Sequence, residues 1–270
     1  MKIVISKTNT DGIGNVFKGF ISALSVCSET TIECNPTYMF GDYNTILDKK
    51  HIFNGECEYE RFYTCRLRVL LTENQENIRN EFNHYDHLGN SSIDKLFSKH
   101  IFIDWNYDVT KINDNVRNRI LDTIDKIEFH TDIISEYNRL KNEINTNNSL
   151  GISVRTWKCL HESNINRPYS SSVYKQKIKE VLESKPIQNI LLSFDNPSVI
   201  NEYIEYCKEI QPDINIFVID NYLNMTKLQN SLLKVLLLSQ CTDFICNRIS
   251  TFSELVFWFG KCQQNIYPLF

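Results

Sequence analysis

The stretch from Asn230 to Glu254, Asn-Ser-Leu-Leu-Lys-Val-Leu-Leu-Leu-Ser-Gln-Cys-Thr-Asp-Phe-Ile-Cys-Asn-Arg-Ile-Ser-Thr-Phe-Ser-Glu, decides the fold. Its first part is apolar at helical spacing, broken by a single charge at Lys234. Its middle, Asp243–Asn247, is a short apolar run of strand length. Its end gathers hydroxyls at Ser250, Thr251 and Ser253, where a second helix can begin. A helix, a strand, a polar loop and another helix form the repeating unit of a parallel sheet, whose ligands bind beyond the carboxyl ends of the strands.

The same alternation extends outward from this stretch. Strand Leu150–Arg155 is followed by a helix at Ser171–Ser184, and strand Asn189–Phe194 by a helix at Pro197–Ile210. Pro197 falls in the first helical turn, where its missing N–H costs nothing. Strand Asn215–Ile219 leads to a helix at Met225–Gln240, strand Asp243–Asn247 to one at Thr251–Phe259, and Asn265–Tyr267 closes the sheet. Upstream, strands are expected at Lys2–Ser6, Thr30–Cys34, Arg66–Leu71 and Ser98–Trp105. A helix is expected at Asn15–Val26, and a helical period runs from Asn113 to Asn145. The region Asn74–Asn90 is rich in Glu, Asn and His and reads as a loop. The polar run Asn142–Ser149 marks a boundary, giving lobes of residues 1–145 and 146–270. The predicted class is α/β, with a doubly wound parallel sheet in the second lobe.

Bulk composition narrows the function. Of 270 residues, 42% are apolar and 23% charged, close to the globular average, and the net charge is −4. That balance argues against a broad grip on nucleic acid or acidic lipid, so neither is expected as a partner. The opening Met1–Ser6 turns polar too soon for a signal peptide, and no run approaches the length of a membrane span. A cytoplasmic setting is the expectation. Nine cysteines include no C-x-x-C pair, so reduced, packed thiols are expected.

Three loops sit where ligands bind. In Thr8–Asn15, Gly12 and Gly14 permit close backbone approach and the following helix start offers free N–H groups. Phe17 stands where a dinucleotide fingerprint needs its third glycine, and a plain tight turn fits as well. In the second loop Arg155 ends a parallel strand, and its planar fork suits a phosphate, though many such arginines only bridge surface carboxylates. In the third, Ser250–Glu254 reads as a helix cap, an anion seat, or both.

The order of a Gly-x-Gly-Asn loop, a strand ending in Arg155, Leu191–Pro197 (Leu-Leu-Ser-Phe-Asp-Asn-Pro), and Leu-Ser-Gln-Cys-Thr-Asp-Phe (238–244) running into Ser-Thr-Phe-Ser-Glu resembles the α1,6-/α1,2-/protein O-fucosyltransferase superfamily. The likeness covers mainly residues 150–260 and the amino-terminal loop. It implies a GT-B fold of two Rossmann-like lobes around a donor cleft, with the first lobe on the acceptor side. It further implies inverting, metal-independent transfer from a nucleotide-diphosphate sugar to an acceptor hydroxyl, with no cofactor. On this resemblance Arg155 is the catalytic residue that supports the departing diphosphate. Ser250 and Thr251 match the paired serines at the phosphates and Ser253 lies with them. Asp195 matches the second-motif aspartate, and Gly12, Gly14 and Asn15 face the donor.

This chain departs from the pattern at three positions. Ser153 replaces the histidine at the guanine, Thr156 replaces a second arginine, and Lys234 replaces the aspartate that reads the guanine edge. A carboxylate accepts from two guanine N–H groups and a lysine cannot. Losing such a reader costs about 1.5–3 kcal/mol, so a UDP-linked donor competes with a GDP-linked one. The catalytic base is open among Asp11, His161 and Glu162. A degenerate nucleotide- or sugar-binding lobe is the main alternative, and a dinucleotide oxidoreductase a weaker one.

Overall fold

Each strand of the carboxyl-terminal sheet begins with a polar residue and continues as an apolar run, and that pattern sets the sheet's register. In a computed structural model of the chain the described residues are 3–7, 13–14, 61–64, 67–71, 114–125, 127, 129–144, 146–156, 170–219, 224–247 and 250–269. The chain divides into two compact units, Met1–Ile134 with Thr226–Leu232, and Ser135–Met225 with Leu233–Phe270.

In the first unit, strands β1 (Ile3–Lys7), β2 (Arg61–Thr64) and β3 (Leu67–Leu71) form an antiparallel sheet in the order β1-β3-β2. β1 and β3 lie within one residue of their expected positions. β2 escaped the sequence pattern because its adjacent aromatics Phe62 and Tyr63 break the two-residue alternation of a half-buried strand. The expected strands at Thr30–Cys34 and Ser98–Trp105, the helix from Asn15 and the Asn74–Asn90 region lie outside the described residues. The helical period from Asn113 resolves into α1 (Asp114–Asp125) and α2 (Thr131–Glu143), whose residues from Ser135 on belong to the second unit. His130 starts the second helix: its carbonyl accepts from Ile134 N at 3.2 Å and its ring Nδ1 from Asp132 N at 3.3 Å. A histidine in this role carries none of the usual cap signals in sequence.

In the second unit, Asn148 takes a φ of 50°, a left-handed turn that asparagine tolerates, and leads into β4 (Ser149–Val154). There follow α3 (Ser171–Ser184), β5 (Asn189–Phe194), α4 (Ile200–Ile210), β6 (Asn215–Val218), α5 (Lys227–Leu238, grouped up to Leu232 with the first unit), β7 (Asp243–Asn247), α6 (Thr251–Phe259) and β8 (Asn265–Leu269). Pro197 opens a short 3-10 turn ahead of α4, and the Asn196 side chain accepts from Ser198 N at 3.0 Å. The five strands β6-β5-β4-β7-β8 pair in parallel, as the alternation predicts.

Both faces of β4 are covered. Leu150, Ile152 and Val154 join Tyr174, Ile178, Val181, Tyr203 and Cys207 of α3 and α4 in one apolar core. On the opposite face Gly151 allows a close approach: a Cβ there would lie 3.1–3.2 Å from Phe244, Cys241 and Leu238. Every residue of α6 from Ser253 to Phe259 is buried, which explains why that helix is apolar all round.

The strand starts are tied by polar side chains. Thr242 Oγ1 accepts from Ser149 N at 3.2 Å and lies 2.9 Å from both the Ser149 carbonyl and an Asp243 carboxylate oxygen, donating its one proton to either. Buried Asp243 also accepts from Tyr267 Oη at 2.8 Å and Asn265 Nδ2 at 3.2 Å. Asn215 Nδ2 donates to Asn189 Oδ1 at 3.3 Å. The Asp243-Phe244 pair of the long motif therefore serves the sheet at the end remote from the strands' carboxyl termini.

Two substitutions test this packing. Gly151→Val should cost about 1–3 kcal/mol of unfolding free energy in urea titration, because the side chains of Phe244, Cys241 and Leu238 leave little room for a branched side chain. Asp243→Ala removes the buried carboxylate that accepts from Tyr267 and Asn265, leaving those donors unmatched, and should cost about 2–3 kcal/mol.

Candidate functional site

The strand order reverses at β4: β5 and β6 are added on one side and β7 and β8 on the other. In open α/β sheets such a reversal opens a crevice beyond the carboxyl ends of the two diverging strands. Here those strands are β4 and β7. Arg155 is the first residue beyond β4, and Ser250 opens α6 beyond β7. The structure thus brings Ser153, Arg155, Asp195, Ser250, Thr251 and Ser253 to one end of one sheet.

The backbone around Arg155 is held from two sides. Tyr174, on α3, is fully buried. Its hydroxyl donates to the Ser153 carbonyl at 3.2 Å and accepts from Arg155 N at 3.2 Å. Burial pushes the Tyr174 phenol well above its ordinary range, so it stays protonated and keeps both roles. Asp195, the first residue beyond β5, receives Thr156 N at 2.8 Å from each carboxylate oxygen, and Thr156 Oγ1 donates to Oδ1 at 2.7 Å. The sequence suggested Asp195 as a donor-binding residue; its carboxylate is engaged with Thr156. Tyr174 was missed, because an aromatic at a helical core position reads as packing, and it is also that.

Ser250 is the N-cap of α6, and its Oγ accepts from Ser253 N at 3.4 Å. Thr251 follows, partly exposed. The Ser253 side chain is 1% exposed, and its hydroxyl has no hydrogen-bond partner among the described residues. Leaving such a group buried and unmatched costs about 1–3 kcal/mol. Lys234 lies about two turns into α5 and is partly buried. Gly14 is helical and buried in the first unit, while Gly12, Asn15, Asp11, His161 and Glu162 lie outside the described residues. Among the described residues no group of three or more His, Cys, Asp or Glu side chains could hold a metal ion. Nor is any described helix long and apolar enough to cross a membrane.

No protein-family model and no curated protein matches the chain. Solved structures do. POFUT1 in complex with GDP aligns over 98% of both chains, with 9% identity and a TM-score of 0.53. The NodZ α-1,6-fucosyltransferase soaked with GDP-fucose aligns over 95% of this chain and 91% of its own, at 12% identity and a TM-score of 0.53. The fucosyltransferase NodZ from Bradyrhizobium gives 94% and 91%, at 14% identity and a TM-score of 0.52. A GDP-fucose complex of POFUT1 in another crystal form aligns over only half of that chain, at a TM-score of 0.41. The chain has a fucosyltransferase-like fold. That is the GT-B class of α/β architecture expected from the motif order, and it puts the reversal at β4 in a known structural setting.

Ionisation of the buried groups gives this fold a defined alkaline limit. Burial pushes Tyr203 up to about 12 and the Cys207 thiol up to about 12, from ordinary values of 10.0 and 9.0, and raises Tyr174 further. The unfolded chain releases these protons at the ordinary values while the folded chain keeps them. Their stabilising contribution is therefore whole below about pH 9 and is lost as pH rises towards 12. Urea midpoints should be flat in this contribution up to pH 8 and fall above pH 9, and Tyr174→Phe should soften the fall.

Proposed function

We propose that this chain is a glycosyltransferase that moves a sugar from a nucleotide-diphosphate donor to an acceptor hydroxyl. The observation carrying the reading is that Arg155, just beyond β4, and the unmatched, buried hydroxyl of Ser253, in the first turn of α6 after β7, follow the two strands that flank the strand reversal. A phosphate oxygen there would satisfy the Ser253 hydroxyl, and the arginine fork and the start of α6 would meet the diphosphate's charge. Among the neighbours of like fold, one is a complex with GDP and another was soaked with GDP-fucose, which favours a nucleotide-linked sugar as donor.

On this reading the acceptor hydroxyl displaces the diphosphate directly, with inversion and without a metal. Arg155 offsets negative charge as it gathers on the leaving diphosphate, an interaction stronger in the transition state than in the ground state. Ser250, Thr251 and Ser253 hold the phosphates. Residues 146–270 form the donor lobe, residues 1–145 form the acceptor-side lobe, and Gly12, Gly14 and Asn15 face the donor. The sugar is fucose or another deoxy or neutral sugar, the acceptor is a glycan, and the setting is cytoplasmic. With Ser153 and Lys234 at the base-reading positions, UDP is expected to bind at least as well as GDP. A second reading, a nucleotide-sugar binding lobe without transfer, is favoured by Thr156, where the second arginine of the resemblance is lost and the side chain bonds Asp195 instead.

Thermal shift with GDP, UDP, dTDP and NAD separates these readings: stabilisation by NAD alone would end the transferase proposal. Arg155→Ala should weaken binding of the preferred nucleoside diphosphate by roughly 10- to 200-fold with little change in unfolding free energy. Ser253→Ala should stabilise the ligand-free protein by about 1 kcal/mol and yet weaken nucleotide binding. An alanine variant that binds as well as the parent chain would remove Ser253 from the site. Nucleotide binding without sugar release to any glycan acceptor would favour the second reading.

A further inference from the structure

We infer that Tyr174 and Asp195 are positioning residues that hold the β4 exit in the one path that presents Arg155 to the donor diphosphate. The inference rests on the reading of Arg155 given above, and it concerns residues that touch the backbone around the arginine. Tyr174 bonds the carbonyl two residues before Arg155 and the amide of Arg155 itself. Asp195 bonds the next amide and the Thr156 hydroxyl. The main chain is thereby fixed on both sides of a single residue.

The two anchors are themselves rigid. The Tyr174 ring meets Tyr203 edge-on, with centroids 6.1 Å apart, and Tyr203 meets Phe194 at 5.5 Å. Asp195 directly follows Phe194 at the end of β5, and its own N–H donates to the Val154 carbonyl at 3.4 Å. This aromatic row joins α3, α4 and β5, so Tyr174 on α3 and Asp195 just beyond β5 both hold the backbone around the arginine. A guanidinium that binds a diphosphate through two parallel N–H groups depends on such placement, because a small rotation at its Cα spoils both bonds together. Neither residue needs to reach the donor to matter.

The test has two arms. Amide hydrogen exchange, read by NMR on the ligand-free chain, should quicken at Arg155 and Thr156 in Tyr174→Phe and at Thr156 in Asp195→Ala, and stay as it was in β8. Unchanged exchange at those amides would overturn the inference whatever the chain binds. The second arm is a double-mutant cycle using UDP and GDP in calorimetry. Tyr174→Phe and Asp195→Ala should each weaken binding about 5- to 50-fold in the parent chain and less than about twofold in the Arg155→Ala background. Equal losses in both backgrounds would mean that these residues touch the nucleotide or only stabilise the fold, and would overturn it. Should Tyr174→Phe fail to fold, the exposed Asp195 carries both arms alone. If Arg155→Ala binds normally while the exchange effects appear, the brace is real but the diphosphate reading falls, and the positioning role falls with it.

Discussion

The pairing of β4 on both edges, with β5 on one side and β7 on the other, is the constraint on which the second unit depends. A strand so placed must be apolar on the face that meets α3 and α4, must leave room on the other for closely packed side chains, and must end where its neighbours part. Leu150, Ile152 and Val154 meet the first demand and Gly151 the second. The third puts Arg155 at the crevice without any further instruction in the sequence. Packing and placement are thus settled by the same six residues.

Much of this was legible because it rests on local chemistry. Helix starts at Pro197 and Ser250, and apolar runs of strand length, announce themselves through effects that act within a turn or two of chain. The predicted strands at Asn189–Phe194 and Asp243–Asn247 and the helices at Ser171–Ser184 and Thr251–Phe259 match the structure at both ends. Arg155 and the Ser250–Ser253 run were found by position relative to predicted strands, and topology brings both to the strand reversal.

What sequence did not reveal depends on partners distant in the chain. Tyr174 is an ordinary core aromatic until α3 packs over β4 and its hydroxyl meets the backbone there. Asp195 looks like a free carboxylate in a ligand loop, because nothing nearby in sequence tells that Thr156, 39 residues earlier, will occupy it. His130 begins a helix through a ring nitrogen, a bond no composition rule anticipates. Asp243 belongs to the most specific motif, yet its bonds to Tyr267 and Asn265 make it a fastening of the sheet.

The strand order has a consequence for how the molecule is made. Residues of β4 and β5 can meet early in synthesis, but β7 pairs with β4 across 93 positions of chain. Contacts of such separation form late, since the connecting loop must be ordered first. The crevice has one wall from each side of that pairing. A nascent chain lacking β7 therefore holds a half-built sheet with one edge of β4 unpaired, and the two strands that flank the reversal meet only late in folding.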